Sequence, residues 1–74
     1  MGELQPYEQR FIAEYKELSE RAGKLKAMLD KWERLDFEPK CSYELLMTQY
    51  HIMMAYLHIL CERADIEGLT DYII

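Results

Sequence analysis

Between Leu45 and Cys61 the chain has no Asp, Glu, Lys or Arg, and this stretch decides which architectures are open to it. Apolar side chains recur there, and just beyond it, at helical spacing along two separate stripes. The first stripe comprises Leu46, Tyr50, Met53, Leu57, Leu60 and Ala64, and the second comprises Leu45, Ile52, Tyr56, Ile59 and Ile66. One neighbouring helix covers only one of these stripes. The second stripe therefore predicts that several copies associate.

The size of the chain supports the same expectation. The 74 residues form a single predicted domain, 1–74. A domain of this size buries only about 60% of the surface that its unfolded chain exposes, so it needs a disulfide, a metal or a partner. The cysteines, Cys41 and Cys61, fall at opposite ends of one predicted helix, roughly 30 Å apart. They cannot pair within one chain, which leaves a partner as the expected source of stability.

The first helix is predicted from Pro6 to about residue 35, because proline suits the first helical position. Its apolar stripe has near-heptad spacing and comprises Tyr7, Phe11, Tyr15, Leu18, Ala22, Leu25, Leu29 and Trp32. Gly23 is costly inside a helix and is expected to mark a close contact. The other faces predict ion pairs at i,i+4 spacing, namely Arg10–Glu14, Glu17–Arg21 and Glu20–Lys24.

A loop over residues 36–42 separates this helix from the second one. Pro39 disfavours helix at the residue before it, and Ser42 is a suitable N-cap for the second helix. The second helix is predicted from about residue 43 to 67, with Gly68 as its C-cap and a tail over 68–74. The tail either docks on a neighbouring subunit or frays. The expected fold is all-α, an antiparallel helical hairpin that assembles into a helical homo-oligomer.

Charge and hydropathy exclude several classes of partner. The formal net charge of −5 argues against non-specific binding of DNA, RNA or an anionic membrane. A transmembrane span is the alternative interpretation of residues 45–61. That stretch is short for a span and contains Thr48, Gln49, His51 and His58, so we favour a helix that does not enter the membrane. No signal sequence is evident, and a cytoplasmic location is expected.

No catalytic or metal motif stands out. His51 and His58 are seven residues apart, about 10 Å along a helix, so they cannot share one ion within a chain. Buried or interfacial histidines are the favoured interpretation. No arrangement of nucleophile and base and no phosphate-binding loop is visible, so neither an enzyme nor a cofactor is expected. Tyr7 is more informative, because a ring at a helix start either stacks on a base or has a structural role.

An ordered set of residues resembles a family of small phage proteins. The first part of this set is Tyr7-x-x-Arg10, Glu14-x-x-x-Leu18-x-x-Arg21 and Lys24-Leu25. The second part, beyond the loop, is Leu45-Leu46-x-x-Gln49, Met53-x-x-Tyr56-x-x-x-Leu60 and Arg63. The resemblance is to the anti-CBASS cyclic-nucleotide sponges, meaning anti-CBASS protein 2 and its phage and prophage relatives. It covers about residues 7 to 63.

The resemblance implies a protein that binds without catalysis. Members of the family bind cyclic dinucleotides, such as 3′,3′-cyclic GMP-AMP, made by bacterial defence cyclases. Some members also bind cyclic trinucleotides at a separate site. They hold the messenger so that the CBASS effector is not activated in the infected host. The family forms helical hexamers, arranged as dimers brought together in threes, with dinucleotide pockets shared between protomers.

The resemblance also implies roles for particular residues. Tyr7 matches the N-terminal tyrosine that stacks on a base. A basic residue in the middle of the first helix contacts phosphate in the family, and the candidates here are Lys24, Arg21 and Lys26. All of these candidates remain open.

Two further positions concern the trinucleotide site. Arg63 matches the arginine that serves this site, with a salt bridge to Glu14 as its structural alternative. The residue after Tyr7 is Glu8, an acid where an anionic ligand favours a neutral polar residue. This departure disfavours a trinucleotide there.

Helix geometry limits how Tyr7 and Lys24 act together. Seventeen residues separate them, or about 25 Å along one helix, more than a cyclic dinucleotide spans. An antiparallel neighbour is therefore expected to bring its Lys24 towards Tyr7. The alternative function is that of a structural phage or prophage oligomer, which binds a host protein through its apolar face.

Overall fold

The computed structural model describes residues 3–74, which form an antiparallel hairpin of two helices. Helix α1 spans Pro6–Asp30 and helix α2 spans Tyr43–Glu67. A short 3₁₀ turn follows each helix, Trp32–Arg34 after α1 and Thr70–Tyr72 after α2. No strand occurs within the described residues. The predicted all-helical hairpin is confirmed, while its assembly into an oligomer remains a prediction.

Helix α1 begins as the sequence indicates but ends earlier than residue 35. At its start, the Gln5 backbone N–H donates to Glu8 Oε1 at 2.7 Å, so that Glu8 caps the helix. At its end, Lys31 leaves helical geometry, and its N–H donates to the Met28 carbonyl at 3.2 Å. The tightened turn carries Trp32 to the edge of the Tyr43 ring, with 5.4 Å between centroids. This contact with α2 explains why the apolar stripe of the sequence continues to Trp32, although the helix itself ends at Asp30.

Both ends of α2 are capped within the chain. The Leu45 backbone N–H donates to Ser42 Oγ at 3.1 Å, as the N-cap assignment predicts. At the other end Gly68 adopts φ +72°, the left-handed conformation. The Leu69 N–H then reaches the Ala64 carbonyl at 2.8 Å, which completes a Schellman motif. The motif reverses the chain and directs the tail back to the hairpin.

The core lies at the open end of the hairpin, where α1 begins and α2 ends. Leu60 and Ala64 from the first stripe are fully buried there. The tail joins this core, because Leu69 is only 2% exposed and Ile73 packs against the same cluster. The tail is therefore docked on its own chain rather than frayed. The cluster consists of Phe11, Ile12, Leu60, Ala64 and Leu69, with Leu4, Tyr15, Leu18 and Ile73 around it.

The hairpin is a rod, and one apolar face of α2 is uncovered. Its dimensions are 50 × 19 × 17 Å, and its radius of gyration is 15.5 Å. A compact domain of this length has a radius of gyration of about 11 Å. The second stripe stays in solvent, with exposures between 40% and 84% for Leu45, Ile52, Tyr56, Ile59 and Ile66. We call this set the α2 stripe. Its exposure confirms that one neighbouring helix leaves this second apolar face of α2 uncovered.

The glycines at positions 23 and 68 should respond to alanine in opposite directions. Gly68→Ala is expected to lower the free energy of unfolding by about 1 kcal/mol, because alanine is strained at positive φ. Gly23→Ala is expected to raise it by about 0.5–1 kcal/mol, because alanine is the better helix former. A Cβ at Gly23 would meet no atom of the chain within 4 Å, so the close contact expected there is not made within the hairpin.

Urea unfolding at one fixed protein concentration measures both changes, since association would otherwise alter the apparent stability. Gly68→Ala as stable as the wild type would contradict the assigned cap. Destabilisation by Gly23→Ala would show that another molecule approaches that helix.

Candidate functional site

Tyr7 lies in the first turn of α1, and its side chain is 54% exposed. It precedes the buried Phe11 by one helical turn, which places the two rings on the same side of α1. The tyrosine ring is not part of the core cluster. It therefore has a free surface on which a planar ligand could stack.

Arg63 lies at the same end of the hairpin as Tyr7. Its guanidinium carbon is 4.8 Å from the centroid of the Phe11 ring, a cation–π distance. Its Nη2 is 3.9 Å from a carboxylate oxygen of Glu67. The predicted alternative, a salt bridge to Glu14, is not made among residues 3–74, where the carboxylate paired with Arg63 is that of Glu67. The fold thus places Arg63 of α2 against Phe11, one helical turn from Tyr7 on α1.

The three basic candidates of α1 do not all lie on one side of the hairpin. Lys24 is exposed, and its Nζ is 3.0 Å from Glu20 Oε1, which confirms that predicted pair. Lys26 bonds both carboxylate oxygens of Asp30, and this hydrogen bonding raises the pKa of the lysine. Arg21 lies elsewhere, on the side of α1 that faces Tyr56. The fold therefore separates Lys26 from Arg21, whereas Lys24 follows Arg21 by three residues along α1.

Two grooves follow the contact between the helices, one on each side. The first, the arginine hollow, encloses about 360 Å³ and is lined by Arg10, Ala13, Glu14, Glu17, Leu18, Arg21 and Tyr56. The second, the Gly23 groove, encloses about 440 Å³, and its lining includes Tyr15, Gly23, Lys26, Tyr50, Met54 and His58. Arg21 and Lys26 thus belong to opposite sides of the hairpin. Only the arginine hollow lies beside the α2 stripe, which contributes Tyr56 to it.

Two of the ion pairs expected along the arginine hollow are not made. Within residues 3–74, neither Arg10 nor Arg21 has a carboxylate oxygen within 4.0 Å. The Glu14 carboxylate is bound by the Tyr56 hydroxyl, and this hydrogen bond raises the pKa of Tyr56. Exposed i,i+4 pairs contribute only a few tenths of a kcal/mol, so a hydrogen bond to the other helix outweighs the pair with Arg10.

The histidines and cysteines form no metal site among residues 3–74. His51 and His58 are exposed rather than buried, and His58 Nε2 is 3.8 Å from Glu62. Both cysteines are free, as their predicted separation requires. The Cys61 thiol and the Tyr15 hydroxyl are hydrogen-bonded at 3.6 Å, and this hydrogen bond, with burial, raises the pKa of Tyr15. Neither described helix is long and apolar enough to cross a membrane.

Sequence reasoning missed the role of Tyr56. It treated this residue only as an apolar member of the α2 stripe, whereas its hydroxyl joins α2 to α1 through Glu14. The available signal is that Tyr56 alone in that stripe carries a hydroxyl, and such a group takes a hydrogen-bond partner when its ring packs.

Comparison with known proteins identifies a family. The family model described as Sequestin matches residues 5–66, which include α1, the loop and all of α2 except Glu67. No curated protein and no solved structure matches the chain. The name of the family implies proteins that bind and sequester rather than enzymes, and the match is consistent with the resemblance to phage anti-CBASS sponges. The chain belongs to the Sequestin family.

Proposed function

We propose that this protein is a phage-encoded sponge for cyclic dinucleotides. It binds messengers such as 3′,3′-cyclic GMP-AMP in the cytoplasm of the infected bacterium and holds them without hydrolysis. The CBASS effector is then not activated. The observation that carries the proposal is the Sequestin match across both helices. The exposed ring of Tyr7 supports it, because that ring offers a stacking surface at one end of a rod-shaped hairpin.

The binding site proposed is shared between copies of the chain. Helix α1 runs without a break from Pro6 to Asp30, so Tyr7 and Lys24 are about 25 Å apart along its axis. A cyclic dinucleotide does not span that distance. In an antiparallel pair, each Tyr7 approaches Lys24 of the other copy, and the two-fold symmetry suits a ligand with two bases and two phosphates. The uncovered α2 stripe supports such association, with three dimers forming a hexamer.

The affinity that a sponge requires is within reach of these contacts. A sponge acts by stoichiometry, and nanomolar binding corresponds to about −12 kcal/mol. Two stacked bases contribute roughly 1–3 kcal/mol each. Charge-assisted hydrogen bonds to phosphate contribute about 1.5–3 kcal/mol each. Their sum is sufficient only if little ordering accompanies binding, so the oligomer forms before the ligand arrives.

Cyclic trinucleotides are proposed as weaker ligands. Arg63 supplies a positive charge over Phe11, one helical turn from Tyr7, but Glu8 places a carboxylate in the first turn of α1 beside Tyr7. That carboxylate is held by the Gln5 backbone N–H as the helix cap. It therefore cannot turn away from an anionic ligand without uncapping the helix.

Titration calorimetry tests the proposal. The wild-type oligomer is expected to bind 3′,3′-cyclic GMP-AMP with nanomolar affinity, and the linear dinucleotide of the same bases serves as the control for ring shape. Heating the complex should release the messenger chemically unchanged, as chromatography will show. Absence of heat at tens of micromolar ligand, together with an unchanged melting temperature, would refute the function.

The second candidate function is an oligomer that binds a host protein. The exposed α2 stripe favours it, because such a surface also accommodates an amphipathic helix of another protein. This candidate predicts an assembly indifferent to cyclic nucleotides. It also predicts partner binding that is lost when Ile59 is replaced by Glu.

A further inference from the structure

Arg10 and Arg21 differ from the other cations considered as ligand contacts. Lys24, Lys26 and Arg63 each have a carboxylate oxygen within 4.0 Å, whereas within residues 3–74 Arg10 and Arg21 have none. Both line the arginine hollow, beside Tyr56 of the α2 stripe. Two guanidinium groups without ion partners thus lie along a groove next to the surface through which copies are proposed to associate.

The acids of the hollow lie between these arginines along α1. Glu14 and Glu17 occupy the middle of the hollow, while Arg10 precedes them and Arg21 follows them. Glu14 is held against α2 by the Tyr56 hydroxyl. The two ends of the hollow are therefore cationic, and each presents the planar fork that binds phosphate oxygens in pairs.

Register connects this hollow to the proposed ligand site. Arg10 lies three residues after Tyr7, and Arg21 lies three residues before Lys24. Residues three apart are neighbours on a helix surface. A two-fold axis that sets Tyr7 opposite Lys24 of an antiparallel copy therefore also sets Arg10 opposite Arg21 of that copy. Each end of the pair then gathers one tyrosine and three cations.

We infer that Arg10 is a further ligand-binding residue, which contacts a phosphate of the cyclic dinucleotide together with Arg21 of the neighbouring copy. This inference rests on the proposed function. Two guanidinium groups that face each other repel, and a phosphate between them replaces repulsion by attraction to both. Bound ligand therefore strengthens the association of the two copies in this register, and the two copies in turn hold the ligand. Lys24 completes the phosphate contacts, and Tyr7 stacks on the adjoining base.

The test compares Arg10→Gln with Lys16→Gln, which removes an equal charge from another exposed position of α1. Calorimetry with 3′,3′-cyclic GMP-AMP should show Arg10→Gln binding about tenfold to a hundredfold more weakly than wild type. Lys16→Gln should bind within about twofold of wild type, because Lys16 does not line the hollow. Arg10→Lys should be intermediate, because a lysine keeps the charge but not the fork.

Sedimentation without ligand excludes a purely structural role. Arg10→Gln should associate at least as strongly as wild type at low salt, because it removes a repulsion. Weaker association would show that Arg10 pairs with an acid of its neighbour, and the inference would be overturned. If wild type binds and Arg10→Gln binds equally well, this inference alone fails. If wild type does not bind, the proposed function fails first and this inference with it.

Discussion

Ile52→Glu is expected to convert the assembly into single subunits and to remove binding of 3′,3′-cyclic GMP-AMP with it. Ile52 is 64% exposed in the isolated hairpin and lies in the middle of the α2 stripe. Association through this stripe would bury the new carboxylate without an ion partner, at a cost of several kcal/mol. Each 1.4 kcal/mol weakens association about tenfold, so the dissociation constant should rise by about a thousandfold or more.

Sedimentation velocity at several concentrations measures the change, and circular dichroism checks that the helices persist. The matched control is His51→Glu, which places the same charge one residue earlier, on a different side of α2. It should leave the assembly unchanged. An Ile52→Glu protein that sediments like wild type would show that the α2 stripe is not the interface. Retention of ligand by a single subunit would contradict the shared site.

Tyr7→Ala is expected to weaken ligand binding strongly while the oligomer stays intact. The substitution removes one stacking surface per copy, and a two-fold site loses two of them. At roughly 1–3 kcal/mol for each stacked base, the loss amounts to a fall in affinity of between about thirtyfold and twenty thousandfold. Stability should change little, because the ring is 54% exposed and lies outside the core cluster.

Tyr7→Phe is the control, since it keeps the ring and removes only the hydroxyl. It should bind nearly as tightly as wild type if stacking is the main contact. Calorimetry reports the affinities, and light scattering reports the size of each variant. Tyr7→Ala binding within about threefold of wild type would assign a structural role to Tyr7. Equal losses in both variants would show that the hydroxyl, rather than the ring, makes the contact.

Local rules predicted the elements and their caps. Periodicity and capping residues depend only on neighbours a few positions away, so Pro6, Ser42 and Gly68 indicate helix ends wherever the helices are packed. Along the first stripe of α2, Leu57, Leu60 and Ala64 are buried as predicted, while Leu46, Tyr50 and Met53 are half-buried. These predictions succeed because the helical repeat alone shows which residues share one face of a helix.

The contacts between the helices cannot be predicted from such local rules. The Tyr56–Glu14 hydrogen bond joins positions 42 residues apart, and the Cys61–Tyr15 contact spans 46. A side chain at a given helical position meets a partner that depends on the register and crossing of the two helices. For this reason the ion pair of Arg10 with Glu14 was expected from spacing and is replaced by a contact with α2.

The amino-acid pattern alone established two helices, the loop between them and an apolar surface too large for one hairpin to cover. Tertiary packing alone decided that α1 ends at Asp30, where Trp32 turns to meet Tyr43. It also decided that the tail docks through Leu69 on its own core, and that Arg10 and Arg21 are left without ion partners among residues 3–74. The physical reason is range. Helical spacing depends on residues a few positions apart in the sequence, whereas the partner of each polar group is determined only when distant segments come into contact.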